Sequence, residues 1–98
     1  MSYFAVFREP GPAWDASRPM RRQDGWDAHA DFMDALAAEG FIVLGGPLGD
    51  GSRFLIVVDA PDERTVEARF SRDPWVPTHM LRTAAIERWE ILLRHAPA

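Results

Sequence analysis

Residues 26–58, WDAHADFMDALAAEGFIVLGGPLGDGSRFLIVV, decide how this chain folds. At about 100° per residue, Trp26, His29, Phe32, Met33 and Leu36 fall on one side of a helix and Asp27, Asp31 and Asp34 opposite, which predicts an amphipathic helix from Trp26 to Glu39. Gly40 supplies the stop. Phe41 to Leu44 reads as a strand, Gly45-Gly46-Pro47-Leu48-Gly49-Asp50-Gly51 as a turn region and Phe54 to Val58 as another strand, together an antiparallel hairpin.

Outward from this stretch, Tyr3 to Phe7 is an aromatic and β-branched run that predicts the first strand. It ends at Arg8-Glu9-Pro10-Gly11-Pro12, where prolines remove strand donors. Residues 10–25, punctuated by Pro10, Gly11, Pro12, Pro19 and Gly25, read as a long first loop, and loops of that length usually carry function. Asp62 is placed to cap a second helix running to Phe70. Asp73-Pro74 ends it, because proline disfavours helical geometry at the residue before it. Ala85 to Leu93 fits either period, and Ile86, Trp89, Ile91 and Leu92 favour a final strand. The order β-α-β-β-α-β is the ferredoxin-like α+β topology, with both helices on one face of a four-stranded antiparallel sheet. Its strands offer apolar side chains to both sides, Phe4 and Val6 against Tyr3, Ala5 and Phe7, so a second copy of the chain is expected to cover the other face as a homodimer.

The 98 residues suit one domain spanning 1–98, and 47% hydrophobic with 27% charged residues is an ordinary globular balance. The net charge of −4, with Arg21-Arg22 the one adjacent arginine pair, gives no basic stripe for phosphates, so nucleic acid is not an expected partner. Without cysteine there is no thiolate nucleophile, disulfide or Cys-ligated metal. No basic segment precedes a signal-length apolar run and no stretch reaches the roughly 18 apolar residues of a membrane span, so a cytoplasmic protein with no membrane partner is expected. The tail 94–98 is expected to fray.

Trp26-Asp27-Ala28-His29-Ala30-Asp31-Phe32-Met33, Gly45-Gly46-Pro47-Leu48 and Asp73-Pro74-Trp75, in this order on this topology, resemble the YCII-related (YciI-like) family of dimeric ferredoxin-like α/β barrels. Gly11-Pro12-Ala13-Trp14-Asp15 followed by Arg18-Pro19 resembles the members with an extended first loop. The resemblance implies that His29 and Asp73 meet in a pocket, and it implies no single reaction: relatives include a dehydrochlorinase-type elimination and, more distantly, muconolactone isomerisation and cofactor-free oxygenation. Function has to come from the site.

On its own, His29 in an apolar stripe reads as a core histidine with a satisfied hydrogen bond, and Asp73 before proline as turn punctuation. Paired, they describe an imidazole whose tautomer a carboxylate fixes, leaving its second nitrogen as a general base. His79 either lines the same pocket or sits on a solvated loop. Gly45, Gly46 and Pro47 precede no helix and form no phosphate loop; they read as backbone that approaches a ligand or tucks under the hairpin. Trp26 and Trp89 read as core. Trp14 and Trp75 fit a planar aromatic ligand, and Arg18, Arg21 or Arg22 an anionic group on it. His29, Asp73 and His79 are ligand types for divalent ions, but no paired-ligand spacing supports a metal, and no cofactor is expected. The leading reading is a small-molecule lyase or isomerase using His29 and Asp73 for proton transfer. The alternatives are a ligand-binding or sensor domain and a structural dimerisation module.

Overall fold

The computed structural model describes residues 1–95, so the tail expected to fray lies outside the described residues from 96 onward. Strand β1 (Ser2–Pro10) leads through a single 3-10 turn at Met20–Arg22 to helix α1 (Trp26–Ala38). Strands β2 (Ile42–Leu48) and β3 (Arg53–Ala60), helix α2 (Glu63–Phe70) and strand β4 (Leu81–Trp89) follow. The sheet order β2-β3-β1-β4, with every neighbouring pair antiparallel, is the expected ferredoxin-like arrangement.

Local chemistry accounts for the helix limits. Gly40 follows α1 with φ 85°, where a side chain would be strained. The Asp62 carboxylate accepts the Thr65 backbone N–H at 2.8 Å and caps α2. Phe4 and Val6 of β1, Phe54, Ile56 and Val58 of β3, Leu36 of α1, and Val66 and Phe70 of α2 form one buried cluster between helices and sheet. The opposite face of the sheet carries half-buried Tyr3, Ala5, Phe7 and Leu55 beside the more exposed Leu44 and Trp89. Trp89 is therefore a residue of the uncovered face, 44% exposed, rather than of the core.

Three strand limits differ from expectation. β1 runs on through Arg8 to Pro10, because its pairing with β3 ends at Arg8 and Pro10 faces β4 alone, so the missing proline donor interrupts one ladder rather than two. Gly45, Gly46 and Pro47 belong to β2 and not to the turn: β2 is an edge strand paired only to β3, where proline is tolerated, and the chain reverses after Leu48. β4 begins at Leu81 and ends at Trp89, four residues earlier at each end than the apolar run 85–93 suggests, since its register follows β1 rather than its own periodicity.

Gly11 joins β1 to the first loop at a point with no room for a side chain. Its N–H donates to the Met80 carbonyl at 2.9 Å, and a Cβ there would stand 2.2 Å from the His79 carbonyl oxygen. Gly11→Ala should therefore lower unfolding free energy by about 1 to 3 kcal/mol, the scale of forced overpacking, and chemical denaturation would register it. An unchanged midpoint would mean that the two segments separate freely.

Candidate active site

Asp73 closes the turn after α2 and folds back on itself. Its N–H donates to the Phe70 carbonyl, and its side chain accepts the Trp75 backbone N–H at 2.9 Å, the two-residue reach that makes aspartate a turn former. This fixes the carboxylate beneath α1, where His29 Nδ1 lies 2.9 Å from both of its oxygens. From β1, the Arg8 guanidinium donates through Nη1 to Asp73 Oδ2 at 2.7 Å. Arg8 and Asp73 are each 0% exposed and His29 6%. Burial alone would push the Asp73 carboxyl up. The bonds from His29, the Trp75 N–H and Arg8, with the charge of Arg8, outweigh that and hold it below the usual carboxylate value.

The imidazole is also held by its faces. Trp75, 1% exposed, stacks on His29 with ring centroids 3.9 Å apart and planes within 9°. Trp75 is itself fixed by its indole N–H, which donates to the Asp24 carbonyl at 2.7 Å, and by Trp14 meeting it edge-on at 5.6 Å. With Nδ1 facing Asp73, the neutral tautomer that donates to a carboxylate carries its lone pair on Nε2. Nε2 has no protein partner among the described residues and is not sealed from solvent.

His29 lies on the wall of a cavity of about 500 Å³ between α1 and β2. Trp26, Met33, Ile42, Phe54 and Ile56 make its lining largely apolar, the backbone of Gly45, Gly46 and Pro47 forms part of the β2 side, and Met20 and Arg21 reach it from the first loop. Size and lining suit a small organic ligand. Asp73 stands behind the imidazole and does not itself line the cavity.

Of the residues singled out from sequence, His29, Asp73, Trp75, Gly45, Gly46 and Pro47 gather here, and Trp26, read as core, lines the cavity as well. Trp14, Arg18 and His79 do not line it. Trp14 packs on Phe54 and Trp75 from outside the cavity. Arg18 is exposed, its side chain 3.4 Å from Asp24. His79 is exposed at φ 61°, and its contribution is a carbonyl that accepts the Ala13 N–H. Among the three arginines of the first loop, Arg21 is the one at the cavity.

Sequence reasoning missed Arg8 and Gln23. Arg8 had a signal: it continues the Phe4, Val6 alternation by one step, which puts a charge on the core face and calls for a buried partner. Gln23, 4% exposed, bonds Asp15 at both backbone N–H and carbonyl and also the Arg18 carbonyl, so it staples the first loop to itself. Nothing in its sequence context signals that. Among the described residues, no three His, Asp or Glu side chains gather to hold a metal ion, and no helix is long and apolar enough to cross a membrane.

Fold and site together define a ferredoxin-like α+β domain with a histidine–carboxylate contact at the wall of a largely apolar cavity. The family model for the YCII-related domain matches residues 2–90, and the chain belongs to that family. No curated protein matches it. Among solved structures it is similar to the 5-chloro-2-hydroxyhydroquinone dehydrochlorinase of Burkholderia phenoliruptrix in complex with 2,5-dihydroxybenzoquinone, at 25% identity and a TM-score of 0.63 over 90% of this chain and 93% of that one.

Proposed function

We propose that this protein is a lyase-type enzyme that eliminates a leaving group from a small, oxygenated aromatic or quinonoid substrate, with His29 as the general base and Asp73 as its orienting carboxylate. The observation that carries this reading is the pairing of His29 Nδ1 with Asp73 at 2.9 Å on the cavity wall, with Nε2 left without a protein partner among the described residues. Nε2 takes a proton from the substrate, the electron pair of the broken bond enters the new π bond, and the leaving group departs with its own pair. The imidazolium is held by Asp73 until the proton passes to water. Trp26 and the methionines of the cavity offer flat apolar contact to a ring, and Arg21 a cation to an anionic oxygen. Similarity to a dehydrochlorinase bound to a dihydroxyquinone supports this class.

The test is chloride release and absorbance change with 5-chloro-2-hydroxyhydroquinone and related halogenated hydroxyaromatics, alongside calorimetric titration with 2,5-dihydroxybenzoquinone. Turnover above the buffer rate is expected. Binding without turnover across the series would point to a ligand-holding domain instead, and neither would leave a structural module. We also infer that a second copy covers the sheet face bearing Tyr3, Phe7, Leu44 and Trp89, of which Leu44 and Trp89 are large apolar side chains left exposed. Sedimentation at micromolar concentration should give twice the chain mass, and a monomer throughout that range would refute it.

A further inference from the structure

Arg8 is buried in a way that does not optimise stability. Its guanidinium makes one hydrogen bond, Nη1 to Asp73, and lies over the Phe70 ring at 5.0 Å, while Nε and Nη2 are buried with no acceptor among the described residues. A stability device built from arginine would use the two-pronged fork on the carboxylate and satisfy its remaining donors. Here two nitrogens are left without an acceptor although the residue borders the cavity, and the bonded one sets a positive charge at Asp73.

That charge bears on where a proton comes to rest. A buried carboxylate that faces an imidazolium can accept the proton itself, because burial favours its neutral form. Asp73 is faced by Arg8 from β1, by His29 from α1 and by the Trp75 N–H from its own turn, and α2 contributes only the Phe70 ring beneath Arg8. Of these groups, Arg8 alone is a permanent cation.

We propose that Arg8 is a positioning residue of this site: its charge keeps Asp73 an ionised acceptor, so that a proton taken from the substrate stays on His29 and leaves by Nε2. This rests on the role proposed above for His29, and its test needs no substrate, so a failure of the proposed reaction and a failure of this inference are separately visible. The protonation of the Asp73 side chain is followed by carbon-13 NMR between pH 7 and pH 4 in the native protein, Arg8→Gln and Arg8→Lys. The native carboxyl should be more ionised than an ordinary aspartate at every pH in this range. In Arg8→Gln, which removes the charge, the protonated fraction at a given pH should rise about tenfold or more, the scale on which a neighbouring guanidinium acts on a carboxylate, and Arg8→Lys should reverse that rise.

An arginine with a merely structural role would shift the melting temperature and leave the carboxyl signal where it was. Arg8→Gln with native titration therefore overturns the proposal, as does failure of Arg8→Lys to reverse the rise. Should Arg8→Gln not fold, Arg8→Met takes its place with the same two outcomes, and in the native protein a carboxyl that protonates above pH 4 beside Arg8 overturns the proposal.

Discussion

Asp73→Ala should lower the free energy of unfolding by about 3 to 5 kcal/mol, the cost of removing one member of a buried ion pair and leaving the other charged and alone. Arg8 is 0% exposed and has no second carboxylate among the described residues, His29 Nδ1 loses its acceptor, and the turn after α2 loses the bond to the Trp75 N–H. The three losses share one side chain. Asp73→Asn keeps the volume and one carbonyl oxygen but turns an amide N–H₂ toward donors, so it should fall between the native protein and Asp73→Ala. Urea unfolding at neutral pH measures both, and a loss under about 1 kcal/mol in Asp73→Ala would mean that Arg8 escapes to water.

The same group sets an acid limit. Since the folded Asp73 carboxyl lies below its ordinary value, its contribution is fully present above the unfolded value of about 3.9 and is lost as pH falls through the folded one. Stability of the native protein should therefore drop through the range below about pH 4, and Asp73→Asn, which has nothing to protonate there, should show a shallower fall.

His29→Ala should leave a folded protein whose turnover is lower by about 10² to 10⁴, the worth of a positioned general base. Its stability cost should be smaller than that of Asp73→Ala, about 1 to 3 kcal/mol, because Arg8 and the Trp75 N–H still hold the carboxylate after the imidazole is gone. The two variants thus separate structure from chemistry: one damages mainly stability, the other mainly rate. His29→Gln would sharpen the comparison, since an amide can donate to Asp73 but cannot take up a proton at neutral pH. Native turnover in His29→Gln would end the assignment of His29 as base.

Element order was legible because each element announces itself locally: the 3.6-residue stripe of Trp26 to Leu36, the stop at Gly40, the cap at Asp62. Strand limits were not, because whether Pro10 or Pro47 ends a strand depends on which neighbour would have received its hydrogen bond, and pairing partners are not written in the strand itself. The meeting of His29 with Asp73, 44 residues apart, was anticipated from ordered family motifs and not from periodicity. Arg8 was missed for a related reason: two residues before Pro10 it read as the point where the strand ends, although its parity with Phe4 and Val6 put it on the core side. Trp14, named for the site, and His79, left open between the pocket and a solvated loop, both lie off the cavity. Nearness in sequence to a site says little about where a side chain ends up when the backbone carries the contact, as the His79 carbonyl does.

The staple at Gln23 has a kinetic consequence. Because that side chain ties the segment around Asp15 and Arg18, the wall that supplies Met20 and Arg21 is held in shape by the protein's own bonds. Its ordering entropy is met during folding rather than at each encounter. Ligand capture should then follow a single exponential whose rate rises linearly with ligand concentration, with no plateau set by a closing gate, and release should be governed by the contacts broken.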